Sequence, residues 1–200
     1  MNNFREKTPV RQVFISHDLD KEKNYADGFC PKCGKRNNLY EQGGSIHTVC
    51  SSCGFVTYRN PFPGVSVLIE NRGMVLLGRR IAGSFAGGLW CLPCGFVEYD
   101  EDILTAAKRE TFEETGLTIE LQSIIQVTSN FHSRQLHSIV TVFLAHVKDG
   151  IALPGDDIDK IDWFPLAGPF PPFAFEADEE IITRYSLTKI PGLPLEESAR

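Results

Sequence analysis

Apolar positions fall in short β-branched runs along most of the chain. Val65-Ser66-Val67-Leu68-Ile69 reads as one strand and Met74 to Leu77 as its return. Between them Glu70-Asn71-Arg72-Gly73 reads as a hairpin turn, because Asn and Gly tolerate positive φ. Leu117 to Val127, Ile139 to Val147 and the shorter Asp162-Trp163-Phe164 are further strand patterns. Helical spacing occurs twice. One helix is predicted to start near Asp102, a good N-cap type, and to stop at Gly116, a good left-handed stop. The other is an acidic stretch from Ala177 to Leu187. Strands with one inserted and one late helix predict an α/β fold, a sandwich with a mixed sheet. Pro61 and Pro63 mark the entry into that domain.

The first helix carries an anomaly. Glu110, Glu113 and Glu114 stand at i, i+3 and i+4, so they share a face. At 3.6 residues per turn they fall in the sector of Ile103, Ala106 and Ala107, which should face the protein. A solvated acidic face would lie opposite the apolar stripe. Clustered carboxylates repel one another and resist burial, and a hard cation such as Mg²⁺ or Mn²⁺ resolves both problems.

The four stretches expected are a polar arm (1–28), a cysteine-rich module (29–58), the main domain (61–188) and a tail (189–200). Cys30-Pro31-Lys32-Cys33 and Cys50-Ser51-Ser52-Cys53 are two CxxC pairs with sixteen residues between them, which is four-cysteine zinc spacing, with two disulfides as the alternative. The module is read as a structural clip, against the alternative of a nucleic-acid-binding finger using Lys32, Lys35 and Arg36. A third pair, Cys91 and Cys94, has no further ligand partners nearby; Cys91, after Trp90 in an apolar run, is read as a small buried hydrophobe, with a redox pair as the alternative.

Composition adds limits. The 200 residues carry a net charge of −6, which argues against nucleic acid as a partner. The first residues lack an apolar signal core, and no apolar run reaches the ~18 residues of a membrane span, so a cytoplasmic protein without a membrane partner is expected.

Gly95, five residues, Glu101, seven residues and Arg109-Glu110-Thr111-Phe112-Glu113-Glu114-Thr115-Gly116-Leu117 resemble the Nudix box. Only Thr111 departs, standing where an aliphatic residue is usual. The four-cysteine module ahead of it resembles a zinc ribbon, and with it the chain is similar to ribbon-bearing ADP-ribose or FAD pyrophosphatases and, more distantly, to NADH pyrophosphatase. The Ser-Gln-Pro-Trp stretch of the latter is replaced by Thr128-Ser129-Asn130-Phe131-His132-Ser133-Arg134.

The resemblance implies a Nudix-type α/β/α sandwich and hydrolysis of a diphosphate linkage in a small nucleotide derivative to two monophosphates. NADH cleavage, house-cleaning of nucleoside triphosphates and a nucleotide- or nucleic-acid-binding regulator are the alternatives. It also implies catalytic Mg²⁺ or Mn²⁺ on Glu110, Glu113 and Glu114, with Glu101 and Arg109 as a buried pair orienting loop and helix. The carbonyl of Cys94, where Gly or Ala is usual, is a further implied ligand. Structural Zn²⁺ goes to Cys30, Cys33, Cys50 and Cys53. Candidate substrate contacts are Arg79 or Arg80 for the diphosphate, Glu98, and Phe131 and Phe175, with Phe85 and Phe173 as further stacking groups. A homodimer is left open.

Overall fold

A computed structural model describes residues 28–58, 60–131, 136–189 and 191–195. The arm expected over 1–28 lies outside these except for Gly28, as do the side chain of Phe131 and residues 132–135. The described residues divide into two compact units, one holding 63–130, 138–189 and 191–195, the other 28–58, 60–62, 131, 136 and 137.

In the second unit, β1 (Asn37–Gln42), β2 (Ser45–Cys50) and β3 (Val56–Thr57) form an antiparallel three-stranded sheet in that order. The sequence patterns did not announce these strands, because they lack the alternating apolar signal of a half-buried sheet.

In the first unit, β4 (Phe62–Asn71) and β5 (Met74–Arg80) form the expected hairpin. Its turn differs from the expectation: Asn71 stays in the strand, and the positive φ values belong to Arg72 (52°) and Gly73 (80°). Two residues at positive φ match the twist of the flanking strands. Short strands β6 (Trp90–Cys91) and β7 (Cys94–Phe96) pair antiparallel with β5 and β4. Helix α1 (Ile103–Thr115) follows, then β8 (Leu117–Phe131), β9 (His137–Gly150), β10 (Ile158–Pro165), α2 (Glu176–Thr188) and β11 (Leu193–Pro194). The sheet order is β10-β5-β4-β9-β8-β11, with a parallel bridge from Trp90 to Phe173 added at β6.

Side-chain alternation along the central strands explains the layers. Val65, Val67 and Ile69 of β4 and Leu76 of β5 pack with Ala106 and Ala107 of α1. Leu68, Val75 and Leu77 point the other way and pack with Ala177, Ile181 and Ile182 of α2. Strands buried on both faces read as continuous apolar runs, as this hairpin does. The result is the α/β sandwich with a helix on each face. No helix among the described residues is long and apolar enough to cross a membrane.

Candidate active site and metal centre

Helix α1 is placed by its ends. The Asp102 carboxylate accepts from the backbone N–H groups of Leu104 (2.9 Å) and Thr105 (3.0 Å). Gly116 closes the helix at φ 69°, its N–H donating to Phe112 O at 2.8 Å. Thr111 is fully buried, and its hydroxyl donates to Ala107 O at 2.8 Å. A back-bonded hydroxyl leaves only the methyl to pack, so threonine serves where an aliphatic residue is usual.

Arg109 organises the loop before the helix. Its Nε donates to Glu101 Oε2 (3.0 Å) and its Nη2 to Glu101 Oε1 (2.5 Å) and Phe96 O (3.0 Å). This two-pronged geometry is specific to a guanidinium. Its Nη1 reaches Glu110 and Glu113, both at 2.9 Å. Glu101 Oε1 also accepts the N–H of exposed Glu98 at 2.9 Å. Glu110 lies so close to β7 that a Cβ on Gly95 would sit 2.0 Å from its carboxyl carbon. Glycine is the one residue that lets the helix face approach.

The three glutamates do not all face inward, as the helical sector had suggested. Glu114 is buried, the Glu110 side chain is 12% exposed and the Glu113 side chain 46%. Helix position 113 sits at the rim of the packed face, and Ile103 is likewise exposed. Burial pushes the Glu114 carboxyl well above its ordinary range, reinforced by Cys91 and opposed by the Cys94 N–H at 2.9 Å. Burial also raises Glu110, against the pull of Arg109. Carboxylates that burial pushes toward neutrality are what a bound cation would recharge, and hard oxygen donors suit Mg²⁺ or Mn²⁺.

Asp178, at the start of α2, was not anticipated. It is buried, and its Oδ2 accepts the Leu92 N–H at 3.0 Å. Burial lifts its carboxyl to about 7, against that hydrogen bond. It thus ties α2 to the segment carrying Cys94. An acid inside the apolar stripe of Ala177, Ile181 and Ile182 was the available signal. Cys91 is fully buried, its thiol 3.8 Å from Gly78 O, and contact with it, with burial second, holds the Cys94 thiol protonated.

Arg79 and Arg80 are the last two residues of β5. Arg79 pairs with Asp159 at 2.7 Å and is partly exposed. Arg80 pairs with Asp157, donates through Nε to Phe85 O at 2.7 Å and sits 5.9 Å from the Phe175 ring. The rings of Phe85 and Phe175 stack at 6.2 Å and 17°. Phe173 packs against the core.

In the other unit the cysteines converge. Cys30 and Cys53 Sγ are 3.6 Å apart, Cys33 and Cys50 Sγ 3.5 Å, and all four lie within 4.8 Å of one another. Tetrahedral bonds of about 2.3 Å to zinc require sulfur separations of about 3.8 Å. Each CxxC closes a turn, with Gly34 (φ 69°) donating to Cys30 O and Gly54 (φ 70°) to Cys50 O, both at 2.9 Å. The N–H of Cys53, above other causes, draws Cys50 down to about 6. Among the described residues this is the one compact ligand group.

The family profile described as NUDIX domain matches residues 60–185. This chain belongs to the NUDIX domain family. The chain is similar to the crystal structure of a NUDIX hydrolase from Nitrosomonas europaea, at 28% identity and a TM-score of 0.70, covering 84% of this chain and 94% of that one. The chain is 31% identical over 164 residues to the NAD-capped RNA hydrolase NudC of Haemophilus influenzae (strain PittGG), which is 80% of this chain and 58% of that protein. It is 36% identical to the ADP-ribose pyrophosphatase of Methanocaldococcus jannaschii over 129 residues, 64% of this chain and 75% of the relative. The chain therefore spans less than two thirds of the NudC relatives but most of the smaller one.

Proposed function

We propose that this NUDIX protein hydrolyses the diphosphate linkage of an ADP-ribose- or FAD-type nucleotide to two monophosphates. The observation that carries the reading is the α1 face: Glu110, Glu113 and Glu114 beside Gly95, held by the fork of Arg109 on Glu101. Glu110, Glu113 and Glu114 would hold Mg²⁺ or Mn²⁺, which when bound neutralises phosphate charge and activates water. Arg109 fixes the loop bearing Glu98 and Glu101 against the helix. Glu114 fixes Cys94 through its N–H, so the chain around Gly95 is set before substrate arrives. Arg79, partly exposed and paired with Asp159 through Nε, offers its remaining guanidinium N–H groups to a phosphate oxygen, whereas Arg80 braces Phe85 and Phe175 as an aromatic wall.

Two kinds of relative support an adenosine diphosphate joined to ribose as the recognised part, because ADP-ribose and NAD share it. NAD-type cleavage is the second reading, favoured by the 31% identity over 80% of the chain. We assign residues 61–188 to the hydrolase domain and 29–58 to a zinc ribbon. Free thiols in ligand geometry fit a reducing, cytoplasmic setting. Turnover of ADP-ribose, FAD and NADH with magnesium, products resolved by chromatography, tests the proposal. Two monophosphates from the first two are expected. A higher kcat/KM for NADH supports the second reading, and pyrophosphate released from a nucleoside triphosphate as the main activity would overturn both.

A further inference from the structure

The three-stranded sheet carries a feature that zinc binding does not require. Tyr40 on β1 lies opposite His47 on β2. The β2–β3 register pairs Thr48 with Thr57, so the next position along sets His47 beside Tyr58, and their rings meet edge-on at 6.3 Å and 74°. Directly opposed residues on neighbouring strands share a face. Three rings therefore stand in line across the sheet. Tyr40 is 57% exposed and Tyr58 69%, while Thr48, on the opposite face, is buried. The knuckles are closed by backbone bonds from Cys30, Gly34, Cys50 and Gly54, and none of the three rings takes part.

Charge in this segment runs against the rest of the chain. Of 20 basic and 26 acidic residues, residues 28–58 hold Lys32, Lys35 and Arg36 against Glu41 alone. The segment is thus net +2 while the remainder is net −8. All three cations are exposed, and among the described residues none pairs with a carboxylate. Arg36 lies 6.0 Å from the Phe29 ring, itself 68% exposed.

We propose that this sheet face binds single-stranded nucleic acid, with bases stacked on Tyr40, His47 and Tyr58 and backbone phosphates met by Lys32, Lys35 and Arg36. Exposed rings offer a π-face to any base, and clustered cations release counterions from a phosphate chain. A duplex keeps its bases stacked on one another and cannot use the rings. The net charge of the whole chain had argued against nucleic acid. The local charge of this segment reverses that reading, and the inference stands apart from the reaction proposed above.

The test is fluorescence anisotropy of the full zinc-loaded chain with a labelled RNA of about 10 nucleotides, single-stranded or annealed to its complement. Binding is expected for the single strand only, weakening between about 50 and about 200 mM salt. The double variant Tyr40→Ala, Tyr58→Ala should lose at least about tenfold in affinity at fixed salt, with zinc content and nucleotide hydrolysis unchanged. Tyr40→Phe with Tyr58→Phe should restore binding. Lys32→Glu with Lys35→Glu should weaken binding and flatten its salt dependence, and this decides the case if the alanine variant loses zinc. Absence of binding at low salt, equal affinity for the duplex, or wild-type affinity in the alanine variant overturns the proposal. So does a dimer by ultracentrifugation that the alanine variant dissociates, which would assign the face to a second copy.

Discussion

Gly95 and Glu110 set the tolerance of the candidate site. Gly95→Ala places a methyl 2.0 Å from the Glu110 carboxyl carbon, so either β7 or the glutamate must move. The expected cost is about 1–3 kcal/mol of stability and a fall of at least about 100-fold in kcat/KM, read by thermal melting and steady-state kinetics. Glu114→Gln keeps an acceptor for the Cys94 N–H but removes a buried ionisable carboxyl. Turnover should vanish while the melting temperature without added magnesium holds or rises, and wild-type activity would show that α1 is not the metal site. Asp178 gives a pH prediction. Its folded value, about 7, stands above the ~3.9 of an exposed aspartate. Below about pH 4 both states are protonated and the full contribution is present. As pH rises toward 7 the unfolded chain releases the proton and the folded one keeps it, so stability falls, and above 7 the loss is complete. Asp178→Asn should therefore gain melting temperature over wild type at pH 8 relative to pH 5. Parallel curves for the two proteins would refute that assignment.

At the scale of elements, α1 works as a rigid spine carrying Arg109 and the glutamates on one face. Its N-terminus is held by Asp102, which satisfies two backbone N–H groups that otherwise lack intrahelical partners. Asp102→Ala should cost about 1 kcal/mol in denaturant unfolding, with activity reduced less than by Gly95→Ala. An unchanged midpoint would mean that the loop before α1, not the cap, fixes the helix start. Helix α2 differs, because Phe175 at its N-cap offers no side-chain bond. Three acids in its first turn, Glu176, Asp178 and Glu179, complement the positive end of the helix. Asp178 turns that preference inward, onto Leu92 N–H, so the second helix holds the link between β6 and β7 that leads to Cys94.

At the scale of the molecule, the four sulfurs and the NUDIX unit are separable in chemistry. Metal analysis of protein purified without added zinc should find about one zinc per chain, lost in Cys30→Ser and kept in Cys91→Ser. Loss of zinc on changing Cys91 or Cys94 would reassign the three cysteine pairs. Local patterns in the sequence determined the hairpin strands, the caps of α1 at Asp102 and Gly116, the late helix, and the grouping of Glu110, Glu113 and Glu114. Each of these is set by neighbours within a few positions, through side-chain period, capping or turn chemistry. Tertiary structure alone decided the rest. It left Glu113 exposed and Glu114 buried, locked Arg80 between Asp157 and Phe85 O, and put Asp178 against Leu92. It also brought Tyr40, His47 and Tyr58 into one row. Such outcomes depend on which strand lies beside which and in what register, and no local spacing of residues encodes that.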